Sequence, residues 1–199
     1  MLSVRRLAGF LLTGFAVLAA AQSRYDRLPA QQKIDMISEG KIPAGTHLQF
    51  PQQDVNAYLI AKAREVVPDG LKDPTVEIQD GRATGRATVN FVKMRQAQGQ
   101  DLNWLLSRLL QGEHPIKVTG RIQSSNGRAR VDLDQVEIGG SAIKGRAIEL
   151  LVRTFVAPLY PQAKVGESFE LGYNMDRIEL KPGVAHVILA GKQQLARNR

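Results

Sequence analysis

Apolar residues alternate with polar ones along two neighbouring stretches of the chain. Val76 and Ile78 come first, and after Asp80-Gly81 the alternation continues through Ala83, Gly85, Ala87, Val89 and Phe91. A period of two is typical of a strand with one buried face, and Asp-Gly is a hairpin turn signal. The pattern therefore predicts an antiparallel pair of strands.

Two more pairs of the same kind follow. The first alternates through Ile116, Val118, Gly120 and Ile122, turns at Asn126-Gly127, and returns through Ala129, Val131 and Leu133. The second runs from Phe169, Leu171, Tyr173 and Met175 through Ile178 and Leu180, turns at Pro182-Gly183, and returns through Ala185, Val187 and Leu189. Asn-Gly is among the strongest short hairpin signals, so we expect long antiparallel strands with one solvent-facing side.

Elsewhere the apolar period changes to three or four residues, which is typical of amphipathic helices. We expect a short N-terminal helix ending at Gly40, which would pack on the rim of the fold, and a helix from Pro51 to Pro68-Asp69-Gly70. Further helices are predicted from Asp101 to Gly112 and over about 143–159. Trp104 lies beside the leucine stripe of the third helix. We expect it to be a core residue, the alternative being a ring at a groove mouth or a membrane interface.

These elements predict an α+β fold in which a long, twisted antiparallel sheet of about six strands wraps amphipathic helices on one side. Small residues recur on the inward side of the sheet, namely Ala83, Gly85, Ala87, Gly120 and Ala129. They leave space that a closely packed helix would occupy, and this is the interpretation we favour. A ligand in that space is the alternative.

The first 21 residues resemble a secretory signal peptide, with Arg5-Arg6, an apolar stretch and Ala19-Ala20-Ala21 at the cleavage site. We expect residues 1–21 to be removed, 22–44 to form an N-terminal helical segment, 45–191 a single α+β domain and 192–199 a basic tail. The product would be exported, periplasmic or extracellular, and soluble. The chain has no cysteine, which excludes disulfides, thiolate chemistry and lipoprotein anchoring.

The whole chain has a formal net charge of +8, which becomes +6 without Arg5 and Arg6. A basic exported protein is attracted to polyanions, and lipid headgroups or envelope polymers are expected rather than nucleic acid. The positive residues are not interleaved with exposed aromatics as in a single-strand nucleic-acid platform. A basic surface that only keeps the protein soluble is the simpler interpretation.

No catalytic, cofactor or metal motif stands out. His47, His114 and His186 are isolated, so none has the spacing of a helical metal site, and no serine lies in a nucleophile elbow. Asp132, Asp134 and Glu137 lie on one predicted strand, with a possible register shift at Val136. Ion pairing with Arg128 and Arg130 on the exposed face explains the two aspartates more simply than catalysis does.

One stretch of the chain is similar to a known family opening. Leu48-Gln49-Phe50-Pro51-Gln52-Gln53-Asp54-Val55-Asn56-Ala57-Tyr58-Leu59 resembles the extended-then-helix start of secreted bacterial tubular lipid-binding, or TULIP-like, domains. The order of strand, glycine turn and helix from Asn126 to Phe155 resembles the same group. Pro51 and Asp54 depart from the Ser/Thr and Glu of the family pattern, and the usual proline after Gly139-Gly140 is absent.

The resemblance implies a curved sheet around a long helix and an apolar groove that holds a lipid chain. The apolar pattern, rather than a family motif, supplies the candidate groove residues, which are Phe91, Leu105, Leu109, Phe155 and Leu159. The resemblance carries no catalytic motif and no cofactor. We therefore expect a non-enzymatic envelope lipid-binding or lipid-carrying protein, with lipid or an anionic membrane surface as its partner.

Two other functions fit the same sequence. A structural or assembly protein of the cell envelope would act through a sheet edge or a basic face, and its interior would be filled. An enzyme acting on an envelope polymer would have to use Asp132, Asp134 or Glu137. A bound lipid, a filled interior, or loss of function in carboxylate variants would separate the three.

Overall fold

The structure is a computed structural model that describes residues 24–67, 69–97, 99, 101–102, 104–157 and 166–191, with only the backbone of Leu109. The helices are α1 Ala30–Ser38, α2 Gln52–Val66, α3 Phe91–Ala97, α4 Trp104–Leu109 and α5 Arg146–Leu151, which continues into a π-helical turn at Val152–Val156. The strands are β1 His47–Pro51, β2 Leu71–Gln79, β3 Arg82–Val89, β4 His114–Ser125, β5 Arg128–Ile138, β6 Ser141–Ile143, β7 Ser168–Glu170, β8 Met175–Lys181 and β9 Val184–Leu189.

The strands form two antiparallel sheets. The large sheet has the order β2-β3-β4-β5-β6, with β7 also paired to β5, and the small sheet has the order β1-β9-β8. The prediction of an α+β fold with a six-stranded antiparallel sheet is confirmed. The three predicted hairpin turns also form, because β2 pairs with β3, β4 with β5 and β8 with β9.

Strand β5 contains a bulge. Its partner Thr119 on β4 lies opposite Gln135, whereas the next residue, Gly120, lies opposite Leu133, so Asp134 is the additional residue. The sequence predicted a shift two residues later, at Val136. A bulge rotates the strand locally, and here it directs the carboxylate of Asp134 toward the arginines of neighbouring strands.

One apolar core, which we call the small-sheet core, joins α1 to the small sheet. Its buried members are Ala30, Ile37, Ile42, Leu48, Phe50, Val187 and Leu189. Helix α1 therefore packs into a core and not merely on the rim of the fold. Lys33 of α1 is fully buried, and its ammonium donates to the carbonyls of Asp26 and Gln49 while lying 5.2 Å from the centre of the Phe50 ring. Burial lowers the pKa of Lys33, with Asp54 and Asp26 opposing the shift.

A second core, the helical core, lies at the opposite end of the large sheet. Its buried members are Val89, Phe91 and Phe155, and the two phenylalanine rings have centroids 4.9 Å apart. Partly buried residues of α3, α4, α5 and the sheet pack around them. Among the described residues, the short helices thus cover one end of the sheet, since they meet at these aromatic side chains.

Three strands at sheet edges are covered by other parts of the chain. On β1, the carbonyl of Gln49 accepts from Lys33 and its amide donates to Asp26. On β8, the carbonyls of Leu180 and Asp176 accept from hairpin-turn glycines, and both backbone groups of Ile178 bond to the hydroxyl of Ser124. The small sheet is therefore fastened across the hairpin ends of the large sheet.

The edge of β2 is covered by helix α2. Asn56 accepts from the amide of Val76 at 2.6 Å and donates to the carbonyl of Val76 at 3.2 Å, while the side chain of Gln52 accepts from the amide of Ile78 at 2.7 Å. Gln52 and Asn56 are four residues apart, so both project from one face of the helix. Helix α2 therefore acts as a cover for a strand edge that would otherwise be free to pair.

Several helix boundaries differ from the predictions. The predicted helix from Asp101 to Gly112 is shorter, because Asp101 and Leu102 are not helical and Leu102 packs against the helical core. Phe91 was assigned to a strand, but the strand ends at Val89 and Phe91 begins α3. The side chain of Asn90 accepts from the amide of Lys93, which is the helix-capping signal that the alternation concealed.

The predictions near the C-terminal half also need correction. Residues 141–143 form β6, so the helix predicted from 143 begins only at Arg146, and its predicted end at Leu159 lies outside the described residues. Phe169 lies on β7, which pairs with β5 and not with the following hairpin. Both short strands lie along β5, whose length exceeds that of any one partner on that side.

Candidate functional site

The middle of the large sheet carries an apolar surface between the two cores. The register places Val76, Gly85 and Val118 side by side on one face, and Gly120 opposite Leu133 on the same face. These residues are half-buried except for Gly120, which is buried. We call this surface the trough floor and define it as Val76, Gly85, Val118, Ile122, Val131 and Leu133.

The described elements enclose the trough floor on three sides. Helix α2 lies along the β2 edge, and its first turn is held by the hydrogen bonds from Gln52 and Asn56. The small sheet crosses the hairpin end, where the hydroxyl of Ser124 holds Ile178. At the other end, the helical core packs against Ala87 and Ile116 of the floor strands. Such a space between secondary-structure elements is where apolar ligands are usually bound.

Gly85 leaves room above the floor. A β-carbon added to Gly85 would meet nothing among the described residues nearer than the backbone oxygens of Thr75 at 3.9 Å and Val118 at 4.0 Å, both in its own sheet. A β-carbon on Gly120 would lie 3.1 Å from the carbonyl of Asp132 and 3.4 Å from Leu133. The sequence led us to expect a helix packed closely onto these two glycines. Among the described residues, no helix does so.

The candidate groove residues do not form one cluster. Phe91 and Phe155 are 5% exposed and face each other in the helical core, at one end of the trough. Leu105 is 60% exposed on α4. Leu109 is on α4, but its side chain lies outside the described residues, as does all of Leu159. The alternating pattern of the sequence already identified the floor residues as members of one sheet face. It did not show which part of that face other elements would cover.

Trp104 is not a core residue. Its side chain is 74% exposed at the start of α4, so the expectation that it packs in the core is wrong. The leucine stripe beside it led to that expectation, but α4 has only six residues and covers less apolar surface than a longer helix would.

The opposite face of the large sheet is a network of ion pairs. Six basic residues on β3, β4 and β5 each lie 2.8 to 3.9 Å from a carboxylate; they are Arg82, Arg86, Lys117, Arg121, Arg128 and Arg130. Asp134 on the bulge pairs with both Arg82 and Arg121. The predicted pairing on the exposed face is confirmed for Arg130 with Asp132, whereas Asp134 pairs with arginines of β3 and β4, and Arg128 pairs with Glu170.

The same contacts weigh against acid catalysis by the candidate carboxylates. Arg130 donates to both oxygens of Asp132, and this hydrogen bond lowers the pKa of Asp132. A general acid at neutral pH needs a raised pKa, usually from burial or a neighbouring negative charge. Glu137 pairs with Lys117 and accepts from the side chain of Gln135, so it too is engaged in side-chain contacts of the charged face.

Two open depressions of about 400 and 430 Å³ lie mainly on this charged face. Arg86, Lys117 and Glu137 line the first, and Arg82 and Arg121 line the second. Neither contains a group of side chains suited to nucleophilic or metal chemistry. Within the described ranges, no group of three or more histidine or acidic residues is placed to hold a metal ion.

In the part of the chain that the structure describes, none of the helices combines the length and the apolar character needed to cross a bilayer. Comparison of the chain with protein-family models, curated proteins and solved structures finds no match. The likeness to TULIP-like domains thus rests on the sequence stretches quoted above.

Proposed function

We propose that the protein is a non-enzymatic, exported lipid-binding or lipid-carrying protein whose ligand chain lies on the trough floor. The observation that carries the proposal is the half-buried apolar floor at Gly85, where an added β-carbon would meet, among the described residues, only backbone oxygens of its own sheet, whereas domains usually fill their volume with their own side chains. The signal-like N-terminus and basic charge support an envelope location.

The surrounding structure supports the same proposal. Floor residues such as Val118 and Val131 offer aliphatic contacts without a polar group that would need a partner. The charged side chains of this sheet lie on its opposite face and are paired. A ligand on the floor would therefore be recognised by its apolar part, and a lipid acyl chain has the matching chemistry.

Gly85→Leu tests the proposal by filling the space. Since the backbone of Gly85 is extended and the added β-carbon meets ordinary contact distances, we expect the variant to fold with a melting temperature no lower than that of the wild type. Native mass spectrometry of protein purified from cells expressing the full chain should show lipid on the wild type and none on the variant. Uptake of added phospholipid should be lost in the same way.

Thr75→Leu is the matched control. Thr75 lies on β2 beside Gly85 but on an exposed position of the opposite face. The substitution therefore adds a leucine side chain outside the trough. It should retain lipid. If Gly85→Leu also retains lipid, or if the wild type neither carries lipid nor takes it up, the trough does not hold a lipid chain.

The alternative is a structural or assembly protein of the cell envelope. Docking through a sheet edge would require an accessible strand, yet the edges of β1, β2 and β8 already form hydrogen bonds with α1, α2 and the hairpin turns, respectively. Only the side of the large sheet formed by β6 and β7 fits this alternative among the described strands. A protein free of lipid that co-purifies with an envelope protein through β6 or β7 would favour it.

A further inference from the structure

Two groups of basic residues in this protein differ in their surroundings. On the large sheet, Arg82, Arg86, Lys117, Arg121, Arg128 and Arg130 are all paired with carboxylates. Around the helical core, Lys93, Arg108, Lys144, Arg146 and Arg153 are all exposed, and none forms an ion pair or side-chain hydrogen bond with another described residue. The helical end therefore presents basic side chains that no described carboxylate neutralises, unlike those of the large sheet.

The formal charges of this end confirm the difference. Residues 91–112 and 141–157 contain six basic and two acidic residues, a net charge of +4 that is half of the +8 of the whole chain. Arg95, the sixth basic residue, is directed inward and donates to the carbonyl of Thr154 at 3.0 Å. The acidic residues are Asp101 and Glu149.

The same end exposes large apolar side chains. Trp104 is 74% and Leu105 is 60% exposed on α4, while Leu150 and Val156 are 41% and 40% exposed on α5 and its π-helical turn. Each apolar group has a basic neighbour, since Arg108 is four residues after Trp104 and Arg153 is three after Leu150. Residues at these spacings share one side of a helix.

We propose that α4, α5 and the π-helical turn form a docking surface for an anionic phospholipid bilayer. Exposed tryptophan, leucine and valine side chains would enter the headgroup region, where an amphipathic indole ring is favoured, and the unpaired lysines and arginines would lie against lipid phosphates. Without a partner, these apolar side chains would remain exposed to water, which is unfavourable for a contiguous apolar patch.

The inference deepens the proposed function, because a carrier of lipid must meet a membrane to load or release it. The helical core forms one end of the trough, since Ala87 and Ile116 of the floor strands pack against it. Docking through this end would place the trough next to the bilayer surface. Membrane binding and lipid uptake nevertheless remain separate measurements.

The test uses protein purified from cells expressing the full chain and vesicles of phosphatidylcholine, with or without phosphatidylglycerol. The protein should sediment with the vesicles that contain phosphatidylglycerol and not with pure phosphatidylcholine. Raising the ionic strength from about 0.1 M to about 1 M should release it, because the Debye length shortens from about 10 Å to about 3 Å. Trp104 is the only tryptophan, so its fluorescence should shift to shorter wavelength on binding.

Charge reversals locate the surface. Arg146→Glu with Arg153→Glu should lower binding at least about tenfold, since each basic residue near an anionic surface contributes measurably. Arg86→Glu with Arg128→Glu changes the net charge equally on the sheet, where both arginines are exposed and ion-paired, and should weaken binding much less. Trp104→Ser with Leu105→Ser should also weaken sedimentation without unfolding the protein, because both side chains are exposed.

Equal losses in the two charge-reversed variants, or no sedimentation of the wild type with anionic vesicles, would overturn the docking surface. Binding to a protein partner but to neither vesicle composition would do the same. If Gly85→Leu binds vesicles normally and the wild type takes up no lipid, docking stands and the proposed carrier function fails.

Discussion

The side chains of Phe155 and Leu105 show how differently residues from one apolar pattern are used. Both were candidate groove residues, yet Phe155 is 5% exposed against Phe91 and Leu105 is 60% exposed on α4. The spacing of apolar residues along a helix identifies a face, but burial depends on what covers that face. A candidate list drawn from the pattern alone therefore mixes core residues with surface residues.

Truncating these two side chains should separate their roles. Phe155→Ala is expected to lower the free energy of unfolding by about 3–5 kcal/mol, because it removes a buried ring and leaves a cavity. Leu105→Ala should change it by less than about 0.5 kcal/mol, as expected for an exposed position. Urea denaturation measures both. A similar small effect in the two variants would show that the helical core contributes little to stability.

At the scale of elements, helix α2 covers the edge of β2, the strand that follows it in the chain. Asn56 uses both its amide nitrogen and its carbonyl oxygen on the backbone of Val76. These two hydrogen bonds take the place of those that a neighbouring strand would form. The backbone groups of Val76 at the β2 edge therefore have partners without another strand being added to the sheet.

Removing this contact should be costly for its size. Asn56→Ala leaves the part-buried amide and carbonyl of Val76 without partners, and we expect a loss of about 1–3 kcal/mol in the free energy of unfolding. Gln53→Ala, on an exposed position of the same helix, is the control and should be nearly neutral. Thermal or urea unfolding that fails to distinguish the two variants would mean that α2 does not hold the edge.

At the scale of the whole molecule, ion pairs on both sheets predict the response to acid. Hydrogen bonds from Arg86, Arg130 and Arg177 lower the pKa values of Glu77, Asp132 and Glu179. A carboxyl whose pKa is lower in the folded than in the unfolded state stabilises the fold above the unfolded value, and this contribution is lost as the pH falls.

Stability should therefore begin to decline as the pH falls below the ordinary pKa values of 4.5 for glutamate and 3.8 for aspartate, and the decline should continue through the lower pKa values of the folded state. The variant Glu77→Gln with Asp132→Asn should show a smaller decline than the wild type, because two of the titrating groups are gone. Glu149→Gln, at an exposed helical position, serves as the control. The melting temperature measured against pH gives the comparison, and identical curves for all three proteins would contradict the prediction.

The fold was largely predictable because hairpin turns such as Asn126-Gly127 and the alternating strands are local signals. The sequence did not predict a separate small sheet, because the crossing of β8 over the hairpin ends depends on single contacts between Ser124 and Ile178 that are far apart in sequence. The apolar floor and the lack of described ion pairs at the basic helical end were likewise hidden. Whether an arginine is paired depends on strand register, and a bulge at Asp134 changes that register.

The cover that α2 provides for β2 also has a kinetic consequence. The amide protons of Val76 and Ile78 are bound to the side chains of Asn56 and Gln52, so they can exchange with deuterium only when the first turn of the helix moves away. Their exchange rates would thus report how often this wall of the trough opens. Slow exchange at these two amides would set an upper limit on how fast a ligand could enter or leave the trough between α2 and β2.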